Sequence, residues 1–359
     1  MREIISTIQK WQQAGKKMAL ATVLRAEGSS PRPVGSKMIV SEKGEMMGSI
    51  SGGCVESSVI EEALVCLEDH KIRIQHYGID NSNPWTVGLA CGGQIDVFIE
   101  PLFDPQLPNG FSSEILTASI NLLEKDTPFS LCLVLSPPMQ GARAILQNNQ
   151  CITGESNSEW VNRLCKAHFT NDLAETHPQI VELEPVDDGT IKVFIEPIHP
   201  QPRMIIIGAV HIAVSLTMFA NVLDYKTIII DPRKAFLTRD RFPKADELVN
   251  RWPQDILPSM NISPRDCVIV LSHDEKIDVP ALKEAITSSA RYIGMLGSKK
   301  TKAARFESLT NLGIPIDKLQ KVHAPIGLNI GAVEPQEIAA SIMAEIIASR
   351  RGLINGGND

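Results

Sequence analysis

Two short stretches concentrate the residues able to do chemistry, Ser51-Gly52-Gly53-Cys54-Val55-Glu56 and Ala90-Cys91-Gly92-Gly93. Each sets a thiol beside a glycine pair, where backbone approaches a ligand without obstruction from Cβ. Cys54 falls at the start of an expected helix. A helix N-terminus stabilises the thiolate, the form of cysteine that attacks or ligates soft metals. Such a thiolate is able to ligate a soft transition metal or to accept a sulfur atom. Arg32 and Lys37 are candidates for nearby positive charge. A free cysteine has a second reading, as a small buried hydrophobe, and it is adopted for Cys66, Cys132, Cys165 and Cys267.

A second group lies toward the C-terminus. An apolar strand runs into Gly208-Ala209-Val210-His211-Ile212-Ala213, the position of a dinucleotide loop. Gly208 supplies the tight turn, but Val210 stands where a glycine normally lets backbone meet a pyrophosphate. Asp231 follows the next strand, where an acidic residue commonly holds ribose hydroxyls. His211 and His273 are candidate ligand contacts or acid–base groups at strand ends. Gly294-Met295-Leu296-Gly297-Ser298 opens a helix at Lys299-Lys300-Thr301-Lys302. Free N–H groups with adjacent cations suit a phosphate, although the same residues also read as a solvated basic face. In His323-Ala324-Pro325-Ile326-Gly327-Leu328-Asn329-Ile330-Gly331, the glycines serve either to admit a ligand or to pack the last helix.

These groups need elements to hold them. Ile4, Ile5, Ile8 and Trp11 share a helical face. Strands are expected at Met18–Leu24, Lys37–Val40, Met46–Ile50, Ile72–His76 and Ile95–Ile99, with a helix over Val55–Asp69. Ile95–Pro101 is echoed by Ile191–Pro197, Met18–Leu24 by Phe129–Leu135, and Gly35–Ile39 by Gly141–Ile145. Residues 1–105 and 115–197 are therefore read as two related halves of an α+β domain spanning 1–199. The second half has no Gly-Gly-Cys element, which assigns the chemistry to the first. Beyond the prolines at His199-Pro200-Gln201-Pro202, strands at Met204–Ile207, Thr227–Ile230, Cys267–Leu271 and Tyr292–Met295 are expected. Helices are expected at Ile212–Leu223, Val279–Ser288, Lys299–Leu312 and Glu334–Arg350. This alternation predicts an α/β domain over 200–359, a Rossmann-like doubly wound parallel sheet.

Composition bounds the partners. The 359 residues carry a net charge of −7, which argues against broad nucleic-acid binding. No apolar run approaches the roughly 20 residues that span a bilayer. The N-terminus lacks a secretory layout, so residence in the cytoplasm is the expectation. Seven cysteines without a Cys-x-x-Cys pair fit neither a disulfide framework nor a structural zinc site.

Taken jointly, Gly28-Ser29-Ser30-Pro31-Arg32, Ser51–Glu56, Cys91-Gly92-Gly93, Asp231-Pro232-Arg233, Tyr292–Lys299 and His323–Leu328 resemble the XdhC/CoxI family, accessory proteins of molybdenum hydroxylases. The resemblance covers nearly the whole chain. It implies a chaperone rather than an enzyme. Its cargo would be molybdenum cofactor, a molybdopterin with a terminal phosphate, held while a sulfido ligand is installed and then inserted into xanthine dehydrogenase or a related hydroxylase. A cysteine desulfurase is the implied sulfur donor, and a homodimer is compatible with this role. Cofactor contacts would come from Gly52, Gly53, Cys54, Cys91, Gly92 and Gly93, with Cys54 and Cys91 at the molybdenum or its sulfido ligand. Gly208, His211, Asp231 and His273 would shape the cofactor cleft, and Gly297, Ser298 and Lys299 would take the phosphate. Two positions depart from the family pattern, Val210 for glycine and Asn329 for aspartate. Two other readings stay open, an NAD(P)-dependent oxidoreductase, which Val210 disfavours, and a scaffolding partner of the hydroxylase with no cofactor of its own.

Overall fold

The spacing of Ile4, Ile8 and Trp11 winds the first residues into α1 (Arg2–Gln13), with all three side chains buried. The computed structural model describes residues 1–28, 32–78, 92–148, 150–154, 158–168, 177–183 and 190–354. The chain divides into two units, Met1–Pro200 and Gln201–Asp359.

In the first unit α1 is followed by β1 (Met18–Glu27), β2 (Lys37–Ser41), β3 (Met46–Gly48), α2 (Glu56–Asp69), β4 (Arg73–Tyr77) and β5 (Gln94–Pro101). The same succession then repeats as α3 (Ser113–Glu124), β6 (Phe129–Val134), β7 (Arg143–Gln147), β8 (Gln150–Gly154), α4 (Glu159–His168), β9 (Gln179–Leu183) and β10 (Ile191–Ile198). The sheets run β3-β2-β1-β5-β4 and β8-β7-β6-β10-β9, one path followed twice. The two related halves expected from the internal echo are therefore present. Period-two alternation sends Ala19, Ala21 and Val23 of β1 toward Val59, Ala63 and Cys66 of α2. In the second half Cys132 and Val134 of β6 pack on Trp160, Val161 and Leu164 of α4. The opposite faces meet each other through Leu24, Phe98, Leu133 and Phe194, and through Leu20, Ile39, Leu131 and Ile145.

Two buried ion pairs cross between the halves. Lys37 of β2 donates to Glu196 of β10 at 2.6 Å, and Arg143 of β7 pairs with Glu100 of β5. Lys37 and Arg143 occupy matching places in the echo, as do Glu100 and Glu196, so each half supplies one cation and one carboxylate. Burial pushes the Glu100 carboxyl up despite its arginine. Gly48 and Gly154 match as well. A Cβ on Gly48 would fall 2.3 Å from the Lys37 carbonyl oxygen, and one on Gly154 would fall 2.2 Å from that of Arg143. Both have positive φ, and only glycine fits. The halves diverge just beyond. α2 begins at Glu56, after residues 49–55, whereas α4 begins at Glu159, soon after Gly154. The longer connection of the first half contains Cys54.

The second unit contains β11 (Arg203–Ile207), α5 (His211–Val222), β12 (Lys226–Ile230), β13 (Glu247–Val249), α6 (Pro253–Ile256), β14 (Cys267–Val270), α7 (Glu275–Thr287), β15 (Tyr292–Met295), α8 (Lys299–Asn311), α9 (Ile316–Leu319), β16 (Val322–His323) and α10 (Pro335–Arg350). All six strands are parallel, in the order β13-β12-β11-β14-β15-β16. This is a Rossmann-type sheet with its switch point between β11 and β14. Met204 and Ile206 face α5 and α10, while Ile205 and Ile207 face α7 and the body of α8. Covered on both sides, β11 reads as a continuous apolar run rather than an alternation.

The structure moves several expected boundaries. The strand expected at Met46–Ile50 stops at Gly48, because Ile50 and Ser51 turn their amides to a side chain. The helix expected from Val279 begins at Glu275, where Asp274 caps Lys276 N, and Pro280 is accommodated inside it. β13, β16, α6 and α9 are too short to carry a periodic signal.

Candidate functional site

In the first unit the candidate site is the turn between β3 and α2. The Glu56 side chain, at the first position of α2, folds back beneath this turn. Its Oε1 accepts the N–H groups of Ile50, Ser51 and Gly52 at 3.3, 2.9 and 3.0 Å, and the Ser49 hydroxyl at 2.9 Å. Its Oε2 accepts Gly53 N–H at 2.8 Å and the Ser51 hydroxyl. Ser51 Oγ in turn accepts Cys54 N–H and Val55 N–H, both at 3.0 Å. Burial works against the Glu56 anion, but the donors from Ser51 and its neighbours win and hold the carboxyl down at about 2. Every amide of residues 50–55 is thereby turned inward. Gly52, Gly53 and Cys54 remain exposed, both glycines with positive φ.

The two cations expected near this thiol both have partners of their own. Lys37 is sealed in its pair with Glu196. Arg32 Nε donates to the Ser49 carbonyl at 3.3 Å, and its terminal nitrogen pairs with Glu3 at 3.0 Å. Arg32 thus braces the base of the turn. Cys91 lies outside the described residues. Gly92 and Gly93 lie against Gly28, where an added Cβ would meet Gly93 Cα at 3.4 Å. Cys66, Cys132 and Cys267 are buried, and burial pushes the Cys66 and Cys267 thiols up to about 12. Cys165 is only partly covered.

In the second unit the candidate residues follow the carboxyl ends of the strands. Gly208, with φ of +105°, closes on the segment just after β14 so tightly that a Cβ would lie 2.7 Å from Ser272 N and Cα. Val210 packs partly into the core beneath α5, and His211 is exposed at the first helical position. Asp231 departs from its expected role. It is fully buried, and its carboxylate takes Ala209 N–H at 2.7 Å, Arg233 N–H at 2.9 Å, and both Nε and a terminal nitrogen of Arg233 at 2.9 and 2.7 Å. Burial opposes the anion, but these bonds keep its carboxyl below the usual range. The acid locks the Gly208 turn to Arg233 and has no lone pair left for a ribose diol. Arg233 then lies over the exposed Phe236 ring at 4.5 Å.

His273 is exposed, with φ of 62°. Beside it Ser272 Oγ donates to buried Asp278 at 2.5 Å, and Arg305 Nε reaches the same carboxylate at 3.4 Å. Burial pushes the Asp278 carboxyl up. Gly297 (φ +152°) leads into Ser298, whose Oγ caps Thr301 N–H at 3.1 Å. Lys299 and Lys300 are exposed in the first turn of α8. Reasoning from sequence missed Glu56 and Ser51 as the anchors of the cysteine turn, and Arg233 as the partner of Asp231. The signal for the first was available, a carboxylate at a helix start with serines five and seven residues before it. Among the described residues no group of three or more His, Cys, Asp or Glu side chains is placed to hold a metal ion. Among them, too, no helix is long and apolar enough to cross a membrane.

Residues 11–78 match the family described as XdhC and CoxI, and residues 204–346 match the XdhC Rossmann domain. The chain is 28% identical over 342 residues to a Bacillus subtilis protein named as a probable xanthine dehydrogenase subunit, covering 92% of this chain and 93% of that one. It is 25% identical over 338 residues to the Escherichia coli molybdenum cofactor insertion chaperone PaoD, covering 94% and 85%. A crystal structure of a Bacillus halodurans xanthine dehydrogenase superposes with a TM-score of 0.74 at 26% identity, covering 97% of this chain and 96% of that one. With one family match in each unit and a shared fold over nearly the full length, the chain belongs to the XdhC and CoxI family.

Proposed function

We propose that this protein carries the molybdenum cofactor, shields it while its sulfido ligand is installed, and inserts it into xanthine dehydrogenase or a related molybdenum hydroxylase. The observation that carries this reading is the exposed Cys54 on a turn whose amides are all consumed by Glu56 and Ser51. With no N–H groups facing out, the turn offers a thiol rather than an anion cradle, which suits the metal–sulfur end of the cargo. Within the second unit by itself, the start of α8 suits a phosphate group. There Ser298 caps Thr301, while Lys299 N–H and Lys300 N–H have no acceptor among the described residues. The names of PaoD and of the Bacillus subtilis relative support the role. A cysteine desulfurase is the proposed sulfur donor. Against the nicotinamide reading stands the Asp231 carboxylate, which already takes four N–H donors from Ala209 and Arg233.

Protein expressed in a cofactor-producing host and purified without oxygen is expected to carry molybdenum and pterin fluorescence, and Cys54→Ala to lower both. Wild-type protein that retains neither, even after anaerobic reconstitution with molybdopterin, overturns the proposal.

A further inference from the structure

The six-stranded sheet has a second place where ligand chemistry converges, at its amino edge, opposite the ends occupied by Gly208, Asp231 and Gly297. A cavity of about 570 Å³ opens there between the end of α7, the starts of β15 and β16, α9 and the end of α10. Its volume lies in the range of small-molecule sites. Ile286 and Ile293 make an apolar wall, and Arg291 and Lys321 bring cations. Arg291 spends Nε on the Pro264 carbonyl at 3.0 Å and one terminal nitrogen on the Arg350 carbonyl at 3.4 Å. Neither Arg291 nor Lys321 has a carboxylate partner among the described residues, although Asp317 lines the same cavity. Two cations against one carboxylate leave the lining positive in a chain whose net charge is −7.

The floor is His323, 3% exposed and stacked on Tyr292 at 4.4 Å. Its Nδ1 lies 3.4 Å from Glu345 Oε1, sealed and without a hydrogen-bond partner. That side of the ring is closed, and His323 is among the residues that line the cavity. Glu345 also accepts Gly327 N–H at 2.8 Å and the Tyr292 hydroxyl, so the histidine is set on a rigid base. Cations do belong near helix C-termini, where carbonyl groups collect. That accounts for Arg291 at the end of α10 and for Lys321 just past α9, but not for a buried histidine lining a cavity.

The geometry points to a binding site for a small organic phosphate at this amino edge, with Arg291, Lys321 and His323 on the phosphate and Ile286 and Ile293 against the organic body. Nothing in it depends on Cys54 or on the cofactor reading. The test is calorimetric titration of the full chain with inorganic phosphate and with adenosine monophosphate. Saturable binding is expected for both, with the nucleotide tighter because it uses the apolar wall. Lys321→Gln should weaken binding about 10-fold, the loss of one charge-assisted contact. This lysine is exposed, so the variant folds. Lys299→Gln, at the opposite edge, should leave the affinity within about 2-fold. Absence of saturable heat, equal affinity for the two probes, or sensitivity to Lys299→Gln but not to Lys321→Gln overturns the site.

Discussion

Replacing Glu56 by glutamine isolates the anchor of the Cys54 turn. The carboxylate collects four backbone N–H groups and two hydroxyls. A glutamine keeps one acceptor oxygen, able to serve the Oε1 donors, and turns an NH₂ toward Gly53 N–H and the Ser51 hydroxyl. Ser51 cannot compensate, because its oxygen already accepts from Cys54 and Val55. At least one donor is orphaned and the charge-assisted bonds are lost, at about 1–3 kcal/mol each. Lowering the carboxyl from 4.5 to about 2 converts to about 3 kcal/mol at most, and solvent at the exposed Gly52–Cys54 edge screens part of it. A loss of about 2 kcal/mol is therefore expected at pH 7. Because the folded-state value is depressed, this stability is fully present above pH 4.5 and is lost as pH falls toward about 2. Urea unfolding read by hydrogen exchange in α2 peptides, from pH 7 down to pH 3, measures both. The variant should be less stable at pH 7, the gap should narrow by about half at pH 3 on its way to being lost near pH 2, and the amides of residues 50–53 should exchange rapidly. A loss under about 0.5 kcal/mol, or a gap between the proteins that does not change with pH, refutes the reasoning.

Two further outcomes follow from the packing. Glu196→Gln strands the buried Lys37 charge and should cost about 3–5 kcal/mol, whereas Lys37→Met with Glu196→Leu should cost far less; a double-mutant cycle by urea unfolding checks the difference. Gly208→Ala places a Cβ 2.7 Å from Ser272 backbone at φ +105° and should destabilise the second unit by at least about 2 kcal/mol, as seen by calorimetry, while leaving the first unit unchanged.

Much of the fold was legible because hydrophobic periodicity is local. Ile4, Ile8 and Trp11 mark a helix, and the apolar runs of β11, β12 and β14 mark a buried parallel sheet, without knowledge of any partner. The repeat was legible for the same reason, since Ile95–Pro101 and Ile191–Pro197 fill equivalent strands. Side-chain roles were less legible. Lys37 and Asp231 read as groups available to a ligand, yet each is consumed by a partner that no local pattern specifies, Glu196 across the halves and Arg233 with Ala209 across a strand.

The sequence by itself determined many of the longer strands and helices, the doubling of the first unit, and the presence of a thiol in a glycine turn. Folding decided which polar atoms stay free. Glu56 and Ser51 turn the amides of residues 50–55 inward and leave the Cys54 thiol outward, while His323 comes to the floor of a cavity far from the Gly208 edge. The physical reason is that a hydrogen bond or ion pair is satisfied by whichever group three-dimensional packing brings within about 3 Å, and that distance is not written in the spacing of residues along a chain.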